Sequence, residues 1–221
     1  LAGVFITVEG VEGSGKSTQI QKLASRLNGA GIALVVSKEP GGTALGLELR
    51  RLLLAHHESG EIWSPEAELL LFYADRAQHL ATLVRPALKE GKVVLVDRFE
   101  DSSWAYQGAR GVPSEDLSRL REVVLKDFRP DLTLILDMDP EASLRRVEAR
   151  NGRLGDSFQE TRFDQEALGY HQKVREIFLG IAAREPDRVV LIPAEAPGEE
   201  VEAVIWNSVV PLLRRRGFEV A

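Results

Sequence analysis

The 221-residue sequence contains no cysteine, which excludes disulfides, thiol nucleophiles and cysteine-ligated zinc. No apolar run approaches the roughly 20 residues that a membrane-spanning helix needs. The opening Leu1-Ala2-Gly3 carries no basic stretch, so no secretory signal is expected, and a cytoplasmic location fits a chain without thiols. Positive charge is not in excess: 28 Lys and Arg against 34 Asp and Glu leave a formal net charge of −6. Nucleic-acid coats and binders of anionic membranes need a broad basic field, so neither partner is expected. Basic residues do gather between Arg145 and Arg162, enough for a small anionic ligand. Repeats and low-complexity stretches are also missing. The 10 prolines and 19 glycines are scattered, so no long linker divides the chain. Its length and 44% hydrophobic content suit a single α/β domain over residues 1–221 with a sizeable core.

Strand and helix patterns alternate along the sequence. Val4-Phe5-Ile6-Thr7-Val8 is β-branched and mostly apolar, as a buried strand is, and similar runs recur at Ala33–Val36, Lys92–Val96, Leu132–Leu136 and Val189–Ile192. Between them, Ile20, Leu23, Ala24 and Leu27 recur at helical spacing until Gly29 and Gly31 stop the helix. Leu45, Leu49, Leu52 and Leu53 mark a second helix, and a long helical stretch from about Pro65 to Glu90 is expected to break near Pro86. Further helices are read at Ser102–Arg110, Ser114–Asp127, from Pro140 onward, from about Gln165 to Ala183 and over Glu199–Arg216. Asn151–Arg162 is polar, has two glycines and reads as a mobile lid. Continuous apolar strands alternating with helices predict an α/β fold, a parallel five-stranded sheet with helices on both faces. Ligands in such folds sit at the carboxyl ends of strands.

The strand from Val4 ends in Gly10-Val11-Glu12-Gly13-Ser14-Gly15-Lys16-Ser17, which matches the phosphate-binding pattern G-x-x-x-x-G-K-[ST] and makes the fold a P-loop NTPase type. Its glycines let backbone N–H groups converge on phosphate oxygens, and the helix that follows points its positive end at them. Lys16 should reach the β- and γ-phosphates of a nucleoside triphosphate, Ser17 should ligate Mg²⁺, and Thr18 extends the cradle. Glu12 is odd inside an anion cradle, because a carboxylate repels the ligand unless it points away. Either it is a solvated side chain, or it faces a second substrate, accepting from a sugar hydroxyl or holding water near the metal.

Asp97-Arg98 closes the third buried strand. Asp97 stands where P-loop proteins place the acid that holds the Mg²⁺ shell through water. Arg98 could clamp a phosphate with two parallel hydrogen bonds; a structural salt bridge is the plainer alternative. With these residues the sequence resembles thymidylate kinase, and the bacterial type most closely. The resemblance runs through G-V-E-G-S-G-K-S-T, Lys38-Glu39-Pro40-Gly41-Gly42-Thr43, Glu48–Leu54, Leu71-Phe72-Tyr73-Ala74-Asp75-Arg76, Asp97-Arg98-Phe99, Asp101–Gly108 and Arg129–Thr133. The phosphate loop alone is generic, whereas the ordered set, E-P-G-G-T and A-Y-Q-G above all, is specific.

The resemblance implies transfer of the γ-phosphoryl group of ATP to dTMP, giving dTDP for dTTP synthesis, with Mg²⁺ as cofactor and a homodimer as the assembly. It implies that Phe72 stacks on thymine and that Arg76 bonds a base carbonyl. These two are four apart on a predicted helix and so share a face. By the same resemblance Arg50 and Arg98 hold the acceptor phosphate, and Glu39 orders the acceptor site and metal-bound water. Ser103 and Gln107 contact the base or its adjoining loop, and Tyr106 crowds the sugar 2′ position. In the bacterial type the lid supplies the catalytic arginine that the phosphate loop lacks. Gly13 and Ser14 carry no cation, and Arg162 matches the lid arginine, with Arg150 and Arg153 as competitors. Each of these three could equally be a solvated loop charge. Lys38 departs from the arginine many members carry there, and a lysine cannot make a bidentate contact.

The nucleophile in such a transfer is a phosphate oxygen whose second pKa is about 6, so no strong base is needed. None is conspicuous: His56, His57, His79 and His171 lie outside the motifs. Two other readings stand beside this one. A kinase for another nucleoside monophosphate or deoxynucleoside would share most motifs. A nucleotide-binding switch would need a guanine-reading N/T-K-x-D segment, which the sequence lacks.

Overall fold

The computed structural model describes residues 3–55, 60–154, 163 and 166–220, with backbone only for 151–154. Five strands form one all-parallel sheet in the order β2-β3-β1-β4-β5: β1 (Val4–Gly10), β2 (Leu34–Lys38), β3 (Val93–Asp97), β4 (Leu132–Asp137) and β5 (Val189–Pro193). The described helices are α1 (Lys16–Gly29), α2 (Ala44–Leu54), α3 (Pro65–His79), α4 (Arg85–Lys89), α5 (Glu100–Ala109), α6 (Ser114–Val124), α7 (Pro140–Leu154), α8 (Leu168–Arg184) and α9 (Gly198–Arg215). The predicted fold class is therefore the observed one.

Strand alternation sorts the core into two layers. Val4, Ile6 and Val8 of β1 pack with Ile20, Leu23 and Leu27 of α1 and Val201, Ile205 and Val209 of α9. Phe5, one register step away, faces Leu69 and Tyr73 of α3 and Leu117 of α6 on the other side. Burying each of those α1 side chains contributes about 1.5–3 kcal/mol, which is what holds the helix that carries Lys16 against the sheet. The chain leaves β1 toward β2 but leaves β3 toward β4, so a crevice opens where β1 and β3 end side by side, with Val8 opposite Asp97.

Two expectations are corrected here. The stretch from Pro65 does not break near Pro86. It runs from α3 through a wide five-residue turn, Leu80–Val84, into α4. Pro86 has no N–H and its ring crowds the Thr82 carbonyl, and widening the turn just before it takes up that misfit. The polar stretch read as a loop from Asn151 is helical at its start, because α7 continues to Leu154. The remainder of that polar segment, residues 155–162, lies outside the described residues.

Candidate active site

The phosphate loop turns on glycines with positive φ: Gly10 at 135°, Gly13 at 73° and Gly15 at 93°. Among the described residues no side chain caps the N-terminus of α1, so its first N–H groups are open to an anion. Lys16 donates from Nζ to the Gly10 and Val11 carbonyls, both at 2.9 Å, which commits two of its three protons and anchors it over the loop. Burial, and next the Arg98 charge, lowers its ammonium to about 8. Ser14 is buried and bonds back to Val11, while Ser17 and Thr18 line the cleft in front. A Cβ on Gly13 would lie 2.6 Å from the Ser143 carbonyl oxygen of α7. The loop cation missing from the sequence is thus excluded by packing as well.

Asp97, at the end of β3, has one buried carboxylate oxygen, Oδ1, with no partner among the described residues, and it lines the cleft with Ser17. Among the described residues no three His, Cys, Asp or Glu cluster around a cation. One hydroxyl and one orphaned carboxylate oxygen suit Mg²⁺, which keeps most of its waters and takes its other ligands from phosphates.

The opposite wall of the same cleft, about 580 Å³ in volume, is built from α2, α3 and the start of α5. Arg76 is 1% exposed and uses three of its five N–H donors on the protein: Nε donates to Glu39 (2.8 Å), Nη1 to Ser103 (3.0 Å) and Nη2 to the Phe99 carbonyl (2.9 Å). The second Glu39 oxygen lies 2.9 Å from His79 Nδ1, and the far side of that ring meets Ser37 at 2.8 Å. Ser103 is thus an acceptor for Arg76, and Gln107 donates to Glu68 at 2.7 Å. Phe72 lies half-buried on the wall, with Phe163 across from it at 6.4 Å between ring centres. Arg50 donates to the Pro40 carbonyl at 2.8 Å. Burial and the neighbouring Arg98 lower its guanidinium below the usual range, as expected of two cations gathered to meet one anion.

Arg98 and Glu12 join the two walls. Arg98 Nη2 donates to Glu12 at 2.7 Å, and Nη1 to the Gly10 carbonyl and to Ser102, each at 3.2 Å. Tyr106 donates its hydroxyl to Glu12 at 2.8 and 2.9 Å and lies under Arg98, 4.8 Å from the guanidinium carbon to the ring centre. Glu12 is neither solvated nor repelling. Burial opposes its ionisation, but Arg98 and Lys16 outweigh it and hold the carboxyl below the ordinary range.

Of the lid candidates, Arg150 lines the cleft from α7, beside Arg146, which donates to the Ala194 carbonyl at 3.2 Å. Arg153 lies in α7 with only its backbone described, and Arg162 lies outside the described residues. Sequence reading set all four histidines apart from the motifs. The fold corrects this for two of them: His79 supports Glu39, and His171 Nδ1 lies 3.8 Å from Glu12. Phe163 and Glu9 also escaped notice. A lone aromatic in a polar stretch carries no periodicity, and a carboxylate inside an apolar strand reads as a break in a pattern.

A triphosphate cradle facing an arginine-lined acceptor wall across one crevice of a parallel sheet defines a P-loop phosphotransferase of the nucleoside-monophosphate kinase class. The profile of the thymidylate kinase family matches residues 8–205. The thymidylate kinase of Pseudomonas fluorescens is 47% identical over 217 residues, covering 98% of this chain and 99% of its own. That of Syntrophotalea carbinolica is 46% identical over 203 residues, covering 91% and 93%. A crystal structure of the Ehrlichia chaffeensis thymidylate kinase superposes with a TM-score of 0.73 at 30% identity, covering 95% of this chain and 99% of that one. The chain belongs to the thymidylate kinase family.

Proposed function

We infer that the protein transfers the γ-phosphoryl group of ATP to dTMP, releasing ADP and dTDP. The observation that carries this reading is that one cleft is shared by the phosphate loop and the wall of Glu39, Pro40, Phe72 and Arg76. An oxygen of the dTMP phosphate forms a bond to the γ-phosphorus as the bond from that phosphorus to the β,γ-bridging oxygen breaks. The nucleophile is already ionised near neutral pH, so the residues act by positioning and by neutralising charge. Gly10 to Thr18 cradle the triphosphate, with Lys16 at its β- and γ-phosphates. Arg50 and Arg98 converge on the acceptor phosphate. Phe72 stacks on thymine, and the two Arg76 protons left over from its protein bonds face the base. Tyr106, tethered by Glu12, walls the sugar. Ser17 and water-linked Asp97 would hold Mg²⁺, which when bound adds charge neutralisation at the transferred phosphoryl group. Arg150, Arg153 and Arg162 remain the candidates for the cation entering from the lid side.

A coupled assay across dTMP, dUMP, UMP, AMP and thymidine tests the reading. The expected result is the highest kcat/KM for dTMP; preference for a nucleoside would overturn the phosphate-acceptor assignment. We further propose a homodimer, supported by Leu45 and Leu52 of α2 and Leu70 of α3, which stand 64%, 46% and 56% exposed. Light scattering should return about twice the 24.4 kDa chain mass. A cytoplasmic setting agrees with ATP and dTMP as substrates.

A further inference from the structure

Glu9 is a carboxylate at 0% exposure in the strand that leads into the phosphate loop, and no substrate can touch it. What it does touch is the turn at Arg98. That residue has φ of 67°, a left-handed conformation a non-glycine side chain keeps only when its surroundings impose it. The imposing contacts are few. Arg98 N–H donates to the Val8 carbonyl at 2.9 Å, and the next N–H, of Phe99, donates to Glu9 Oε1 at 2.7 Å. Glu9 Oε2 accepts the Ser102 hydroxyl at 2.5 Å, and the Ser102 oxygen in turn accepts from Arg98 Nη1. One carboxylate therefore grips the backbone just after Arg98 and, through a single hydroxyl, the tip of its side chain.

The placement is costly to the fold. Burial, and next the charge of Asp101, pushes the Glu9 carboxyl up to about 7, against relief from Ser102, Arg98 and the Phe99 N–H. The groups facing it are Asp101 and Ser102 of α5, Arg98 just ahead of α5, and Lys16 of α1, with Arg188 paired to Asp101 behind. A neutral side chain of the same shape would suit the site better, unless the charge serves the reaction.

We propose that Glu9 is a positioning residue for phosphoryl transfer: its carboxylate fixes the left-handed turn at Arg98 and, through Ser102, aims the guanidinium at the acceptor phosphate. The proposal rests on the acceptor role inferred for Arg98.

Glu9→Gln separates positioning from mere structure. The amide oxygen still accepts from Phe99 N–H. The amide nitrogen meets Ser102 as a donor, so the hydroxyl proton loses its acceptor and must turn elsewhere, and the oxygen is shared between the amide and Arg98. The expected result is a rise of about tenfold in KM for dTMP, with the ATP dissociation constant unchanged within twofold. Thermal stability should move the other way. Burial pushes the folded-state carboxyl up to about 7 from its ordinary 4.5, so the penalty of ionising it is absent below about pH 4.5 and complete above about pH 7. Glu9→Gln should therefore raise Tm at pH 8 and leave it unchanged at pH 4.5. In an Arg98→Ala background, Glu9→Gln should add no further loss of kcat/KM. Ser102→Ala, which spares the Glu9–Phe99 bond, should raise KM for dTMP by a smaller factor and covers the case in which Glu9→Gln fails to fold. Unchanged dTMP kinetics, equal losses for ATP and dTMP, or additivity with Arg98→Ala would each overturn the proposal. Failure of the wild-type protein to phosphorylate dTMP would instead overturn the underlying function.

Discussion

Replacing Arg98 by alanine is expected to lower kcat/KM for dTMP by about 10²–10³-fold, the range for deleting one preorganised charge donor from a transition state. Two effects combine. The substitution removes a guanidinium that reaches the acceptor side, and it strips Glu12 of its 2.7 Å ion-pair partner. The Tyr106 hydroxyl would still hold Glu12 in place, but with its closest cation gone the carboxylate would face a dianionic acceptor. Adding Glu12→Gln should therefore recover part of the loss, a rescue that a purely structural role for Arg98 does not produce. The backbone cost at position 98 is unchanged, since alanine carries the same Cβ as arginine. Steady-state kinetics of the single and double variants check this, with the unfolding midpoint as control. A loss of less than tenfold in Arg98→Ala would remove Arg98 from the acceptor site.

Lys16→Ala is the second large effect. We expect kcat to fall by about 10²–10³-fold and the ATP dissociation constant to rise, with dTMP binding little changed. Lys16 is bonded only to carbonyls of its own loop, Gly10 and Val11, so the two-layer core of the domain does not depend on it. Lys16→Met keeps most of the buried stem and should lose as much turnover as alanine. That equality would assign the effect to the charge, since the stem's packing survives in methionine. Equilibrium ATP binding and single-turnover transfer, measured on the same preparations, separate the two halves of the prediction. Turnover near the wild-type rate in either variant would contradict a donor role for Lys16.

The legible part of this protein lies in short-range patterns. Val4–Val8, the glycine spacing from Gly10 to Gly15, and Lys16-Ser17 are contiguous. Each states a local demand: a buried strand, a backbone that turns where a Cβ is unwelcome, a helix start with open N–H groups. Phe72 and Arg76 were placed on one face by helical spacing alone, and both line the cleft. The error at Pro86 was of a related kind. Proline's local rule held, but α3 and α4 absorbed it by widening one turn, because their apolar faces were already committed to the core.

The sequence by itself determined the class of fold and the form of the phosphate loop, its glycine turns and the helix start behind it, since both follow from periodicity and from a contiguous motif. Only the tertiary structure decided what the acceptor charges are doing. Glu12 and Arg98, 86 residues apart, form an ion pair; Arg76 is paired with Glu39, 37 residues away; and Glu9 grips a turn 90 residues later. The pKa shift and the free donors of each group depend on which partner shares its low-dielectric surroundings. That partner is set by the crevice between β1 and β3, which no stretch of sequence contains.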